Sequence, residues 1–423
     1  MRPKAIFVVL FLAAALLVTC PALWADQTDD LIQLLLEKGT ITKDEAAALK
    51  KQVKPEAGQA VQPAAQDEWW KKVEAGYDKG MYVRTKDRSF SLLTNVGLQQ
   101  QFNYQWLDDA QDKTTFSVRR ARLIESGNAF FPWLKFYVQL TLEQSVNLRD
   151  GYVEAAYYQS FVPRAGQFKI PFDREFLVSA FNLQLVERSI ASNEFSLQRD
   201  VGLQLAGFPL GDLFEYRVGI FNGSGANQDN VNNKYMYLGR FVFTPFGPVA
   251  YSQAALETPG KPQLAMGVAG AWLLGLLPGE RRSLAGVLGS PSEVPVRSDV
   301  YQYTGDMVFK YLNFSFEGAY HYRTIDPRTA TTFGRQDATG YMAQAGYFII
   351  PKHFEVAGRY SFVNPDNPVT AHNNNQEELT GGASYYFKGH PLKVQASYTY
   401  LHTQETPHDG YDQVGRTQVT LMF

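Results

Sequence analysis

The 423-residue chain carries 40 basic and 42 acidic side chains, a formal charge of −2. This balance offers no basic surface of the kind nucleic-acid binding requires. Aromatic residues make up 14% of the chain, with 24 Tyr and 29 Phe, which favours strands and membrane interfaces, and the slightly hydrophilic mean hydropathy argues against a helical membrane protein.

Arg2 and Lys4 precede an apolar run from Ala5 to Val18, followed by Pro21-Ala22-Leu23-Trp24-Ala25. This is the order of a secretory signal, expected to be cleaved after Ala25; the run is shorter than the ~20 residues a spanning helix needs. The only cysteine, Cys20, falls in this leader, so no disulfide or thiol chemistry is expected of the mature chain. Residues 26–53 read as a short periplasmic helical segment. Leu31, Leu34 and Leu35 share helical spacing, the chain turns at Gly39, and Thr42-Lys43-Asp44-Glu45 is a capping-box pattern. Residues 54–75, rich in Ala, Gln and Pro in their first half, read as a linker.

Residues 76–423 read as one domain. From about Phe90 onward the chain returns repeatedly to strict alternation, the mark of strands with two unlike faces. Leu134, Phe136, Val138 and Leu140 alternate with Lys135, Tyr137, Gln139 and Thr141. Leu312, Phe314, Phe316 and Tyr320 alternate with Asn313, Ser315, Glu317 and His321. A soluble sandwich also alternates. Here many segments are as long as tilted membrane strands, and their apolar faces often end in aromatic rings. Tight connections such as Ile350-Pro351-Lys352 also alternate with long polar ones such as Gly223 to Lys234. Sixteen strands are expected, near 89–107, 114–131, 133–145, 149–160, 163–170, 200–208, 213–222, 235–246, 262–275, 298–311, 312–323, 338–350, 353–363, 376–388, 391–402 and 412–423. The fold expected is therefore all-β, a transmembrane antiparallel β-barrel of about 16 strands, wide enough for an aqueous channel.

Several pieces, in order, carry a family resemblance: VRRARLIESGNAFF (Val118 to Phe131), LRDGYVE (Leu148 to Glu154), GQFKIPF (Gly166 to Phe172), VERS (Val186 to Ser189), RDVGLQLAG (Arg199 to Gly207) and FNGSG (Phe221 to Gly225). Together with the Leu35-Leu36-Glu37-Lys38-Gly39 start and Phe423, they resemble the phosphate-selective porin O and P family over nearly the whole mature chain. The resemblance implies an exported protein of the bacterial outer membrane, embedded in its lipid and assembled as a homotrimer. It implies a passive channel for small anions, phosphate or other oxyanions, narrowed by an inward third loop whose arginines and lysines select the solute.

The segment Pro171 to Gln198, between the fifth and sixth expected strands, is the candidate for that loop; its length of about 28 residues calls for a function, and its apolar Phe172, Phe176, Leu177, Val178, Phe181, Leu183, Leu185 and Val186 argue for packing against a wall. Its candidate pore residues are Arg174 and Arg188, flanked by Lys169 and Arg199. On the strand face opposite the apolar one, the candidates are Lys135, Arg217, Arg240, Lys310, Arg323, Arg359, Lys393 and Arg416. The same face offers Glu143, Glu154, Glu215, Asp306, Glu317, Glu355 and Glu378, so counting alone makes no anion filter; position at the narrowest point decides. The bland reading of each cation is a wall charge paired with a neighbouring carboxylate. The run Arg119-Arg120-Ala121-Arg122 is placed at a turn end rather than at the filter.

No enzyme is expected. The histidines, 321, 353, 372, 390, 402 and 408, lack metal-ligand spacing, and no nucleophile elbow or phosphate-cradling loop is present. No cofactor is expected, since there is no CxxCH haem site. Two other readings stay open: a weakly selective diffusion pore, and a sleeve or scaffold for a periplasmic redox partner.

Overall fold

The computed structural model describes residues 36–39, 42–47, 69–108, 110–256, 260–277, 296–329, 334–365, 375–404 and 409–423. The chain divides into two units, Met1–Trp69 and Trp70–Phe423. In the first, residues 43–47 are helical, and the capping box forms: Thr42 donates its N–H to Glu45 Oε2 at 2.8 Å, and Glu45 N–H reaches Thr42 Oγ1 at 3.4 Å. The leader and most of the linker lie outside the described residues.

The second unit is a succession of strands: β1 (Val73–Tyr77), β2 (Met81–Thr85), β3 (Ser91–Trp106), β4 (Lys113–Asn128), β5 (Leu134–Thr141), β6 (Asn147–Ala155), β7 (Val162–Lys169), β8 (Arg199–Gly207), β9 (Pro209–Asp212), β10 (Phe214–Phe221), β11 (Met236–Phe243), β12 (Gln263–Leu276), β13 (Ser298–Tyr311), β14 (Phe314–Pro327), β15 (Gln336–Ile350), β16 (Phe354–Asn364), β17 (Gln376–Tyr386), β18 (Leu392–Thr403) and β19 (Gly410–Met422). β3 to β8 and β10 to β19 pair antiparallel with their neighbours, and β19 returns to β3 from Gln413↔Trp106 to Met422↔Gly97. The result is a closed antiparallel barrel of sixteen strands, each matching an expected one within a few residues.

The alternation read in the sequence sorts side chains between lumen and lipid. On β14, Ser315, Glu317, His321 and Arg323 are buried inward, while Phe314 and Tyr320 are exposed on the outer face. The inward set carries polar groups because an interior this wide is not closed by apolar packing alone.

The short hairpin β1–β2 was not among the expected strands. β2 pairs with β3 from Met81↔Thr94 to Arg84↔Ser91, on the same edge as β19. β19 stops where Phe423 and Val96 exchange N–H···O bonds of 3.0 and 2.7 Å. Strands of five residues each were too short for their alternation to stand out.

Connections at one end of the barrel are tight, as at 312–313 and 351–353; those at the other include 170–198 and 222–235. In outer-membrane barrels the short turns face the periplasm and the long loops the exterior. The connection 244–262, between β11 and β12, breaks this pattern: it is long and lies at the tight-turn end.

Candidate constriction in the barrel lumen

The segment 170–198 folds into the barrel. Its local form follows from its caps: Asp173 accepts the N–H groups of Glu175 and Phe176 at the start of a short helix α1 (Arg174–Leu177), and Ser189 caps α2 (Ile190–Phe195) through Ser192 N–H at 3.0 Å. Two further bonds staple the helices together. Ser192 donates its hydroxyl to Asp173, and Ser189 N–H reaches Glu175 Oε1 at 3.1 Å.

The apolar side chains noted in the sequence do pack against walls. Phe172 and Leu197 join Phe168, Phe221, Leu238 and Leu273 in a buried cluster on one side of the lumen. Ile190, Ala191 and Phe195 join Ala338, Met342 and Val363 on another. Phe181 fits over Gly97, where even a Cβ would meet the ring at 2.5 Å.

Six of the twelve candidate cations pin chain segments inside the barrel. Arg240 pairs with Asp306 at 2.7 and 2.9 Å and donates to Phe172 O at 2.9 Å. Arg323 pairs with Glu194 of α2 at 2.5 Å. Arg359 pairs with Glu378 at 2.6 Å and donates to Glu187 O at 2.9 Å. Lys393 reaches Leu183 O at 2.6 Å, Arg174 reaches Ala250 O at 3.1 Å, and Lys310 reaches Ser252 O at 2.7 Å. All six are 4% exposed or less.

The remaining candidates stand differently. Lys169 donates to the carbonyls of Phe176, Leu177 and Val178, and Arg188 to that of Val178. With Arg199 they surround the half-buried Phe176 ring at 5.3, 5.1 and 5.7 Å. Arg199 also pairs with Asp150 at 3.0 Å. Arg217 pairs with Glu215, Arg416 donates to Thr399 Oγ1 at 3.0 Å, and Lys135 is exposed at the start of β5.

Four arginines of β4 and β6 lie beside this group. The run Arg119-Arg120-Ala121-Arg122 lies in the middle of β4, not at a turn end. Gln99 pairs with Arg120 and Gln100 with Val118, so Arg119 is the extra residue of a β-bulge. A bulge re-aims a side chain that alternation would send the other way. Arg119 and Arg120 therefore share Glu187, at 2.6 and 3.2 Å. Arg122 donates to Thr141 Oγ1 at 2.5 Å and pairs with Glu143. Arg149 is the extra residue of a second bulge, in β6, where Gln139 pairs with Asp150 and Leu140 with Leu148. It is half-buried beside Arg199 and Arg122; its carbonyl accepts from Gln167 Nε2 at 3.0 Å, and among the described residues its guanidinium makes no hydrogen bond or ion pair.

Arg119, Arg120, Arg122, Arg149, Lys169, Arg188 and Arg199 thus gather with Glu143, Asp150 and Glu187 between them and with Asp173 and Glu175 beside Arg188. The Glu187 carboxyl is raised by burial but pulled further the other way by Arg120 and Arg119, down to about 2. It stays ionised, and basic groups still outnumber the carboxylates around them. The side chain of Arg119 is 45% exposed, so this group borders open space that the six anchoring cations do not reach. Sequence reasoning saw the Arg119 run but not its place, and did not single out Arg149, because a one-residue bulge leaves no mark in an alternating pattern.

The profile of the phosphate-selective porin O and P family matches residues 94–260 and 292–423. The chain belongs to this family. It is accordingly an outer-membrane porin, a channel rather than an enzyme. Among curated proteins no sequence relative matches. The barrel is similar to the anion-selective porin from Comamonas acidovorans, with 12% identity and a TM-score of 0.56 over 79% of this chain and 100% of that one. It is equally similar to the outer-membrane channel DcaP of Acinetobacter baumannii, at 12% and 0.56 over 83% and 100%. The trimer form of OmpT of Vibrio cholerae matches at 12% and 0.50 over 78% and 99%. At these identities the likeness extends to the fold.

Proposed function

We propose that this porin conducts small anions passively, with preference for oxyanions such as phosphate, as a homotrimer exported with a cleaved leader, residues 1–25. The observation that carries the reading is the cluster of basic side chains contributed by β4, β6, β7, β8 and the inward loop, where cations outnumber carboxylates and Arg119 is half-exposed. Basic rings at a constriction favour anions, and low-dielectric walls focus their field. Arginine forks match the geometry of oxyanions in particular, since two parallel N–H groups meet two oxygens. Arg149 is the group best suited to a passing anion, because its donors are not already engaged within the wall. A sleeve around a separate redox partner finds no support in a lumen crossed by the chain's own loop.

The test is the reversal potential of reconstituted channels across a KCl gradient, followed by addition of phosphate. Chloride preference with block by phosphate is expected, weakened in Arg119→Gln/Arg149→Gln. Cation preference in the unmodified channel, or an unchanged potential in the double variant, would overturn the assignment; chloride preference without phosphate block would reduce it to a general anion pore.

A further inference from the structure

The connection 244–262 is long at the end of the barrel where turns are otherwise tight, and its described part does not hang outside. Gln253, Ala254 and Ala255 are buried at 3, 2 and 5% exposure, Ala254 and Ala255 packing with Phe348 and Tyr386 inside the barrel. Lys310 of β13 grips this stretch through Ser252 O at 2.7 Å and Ala254 O at 3.1 Å. The stretch also meets the inward loop. Gln184 N–H donates to Gln253 Oε1 at 2.9 Å, and Arg174 donates to Ala250 O. The Tyr251 ring lies between the guanidinium groups of Arg174 and Arg217, at 4.6 and 5.1 Å, with its hydroxyl on Glu215 at 3.2 Å.

We propose that residues 245–256 are a second selectivity element. They form a buttress that enters the lumen from the periplasmic end, fills the space behind the tip of the inward loop, and holds that tip against the wall of β14 to β18. Solute is thereby kept to the basic side formed by β4 to β8. Gln184 makes this coupling concrete. Besides the bond to Gln253, its side chain bridges Ser315 of β14, Gln344 of β15 and Glu355 of β16. One residue at the loop tip thus ties buttress and wall together. Two pinned segments fix a channel's cross-section more firmly than one loop does, because each removes space into which the other could relax.

This inference rests on the reading of the protein as an open anion channel, and its test separates the two. Replacing Phe246–Ala255 by Asn-Gly, two residues of strong turn preference, removes the buttress and leaves a shorter connection between β11 and β12. Vesicle uptake of uncharged sugars of graded size then reports lumen width independently of charge. The variant is expected to admit sugars the unmodified porin excludes, to conduct about two-fold more or better as the pore widens, and to lose anion preference. An unchanged size limit and conductance in a folded variant would overturn the buttress, whatever the ion selectivity. A changed size limit in a porin that proves indifferent to anions would uphold the buttress and sink only the anion reading. Should the shortened chain not fold, Lys310→Met removes the grip on Ser252 and Ala254 and reads the same quantity. A larger size limit or added open-channel noise is expected, and quiet channels with the original limit would overturn the proposal.

Discussion

The pair Arg240–Asp306 spans β12: it links β11 to β13 over Gly267, where an added Cβ would come within 2.6 Å of both charged groups. Their side chains are 0 and 1% exposed. Arg240→Met leaves Asp306 buried without its counter-charge, which costs about 3–5 kcal/mol, and Phe172 O without a donor, about 1–3 kcal/mol more. Arg240→Met/Asp306→Leu removes both charges and leaves only the Phe172 carbonyl unsatisfied. The double variant should therefore regain most of the loss, a coupling of about 2 kcal/mol or more. Urea unfolding of the reconstituted barrel, followed by tryptophan fluorescence and by gel mobility of unheated samples, gives the four free energies of the cycle. Gly267→Ala should destabilise as well, since it wedges the same pair apart. A double variant as unstable as Arg240→Met alone would refute the claim that the buried charge, rather than lost packing, sets the cost.

Three further outcomes are expected. Glu187→Gln releases Arg119 and Arg120 from their shared partner and should raise anion preference in the reversal potential; a fall would mean that the carboxylate orders the arginines rather than masks them. Phe316→Arg puts a charge on the lipid face of β14 and should cost up to about 2–4 kcal/mol if the site is near the midplane, read as a lower urea midpoint in lipid; unaltered folding would invert the assignment of faces. Gly97→Leu drives a side chain into the Phe181 ring and should displace the inward loop, seen as altered conductance in channels whose barrel still resists unheated electrophoresis.

The barrel was legible in the sequence because lipid and lumen impose opposite demands on alternate residues, and that demand persists along every strand. The inward loop was legible for a related reason: Phe172, Phe181, Leu183 and Leu185 are too apolar to remain in water. The roles of the cations were not. Arg240 meets Asp306 across an intervening strand, and Arg323 meets a carboxylate on α2, so counting charges on one face could not separate anchors from pore lining. The decisive arginines owe their direction to bulges at Arg119 and Arg149, and alternation is blind to a shift of one residue. The buttress escaped notice because Thr244-Pro245-Phe246-Gly247-Pro248 reads as an ordinary turn, and nothing in it says that the chain continues inward.

The seam between β3 and β19 joins Trp106 to Gln413 and Gly97 to Met422. Until β19 docks, β3 presents a bare row of N–H and C=O groups that only the β2 hairpin shields, and only between Ser91 and Thr94. Bringing such distant residues together is slow, since the entropy of closing so long a chain is lost before any seam bond forms. An exposed edge of that kind invites pairing with other chains in the meantime. Assembly of this porin is therefore a race between self-closure and aggregation. The thirteen residues of β19 decide it: deleting them would leave not a slightly leakier pore but an open sheet with two sticky margins.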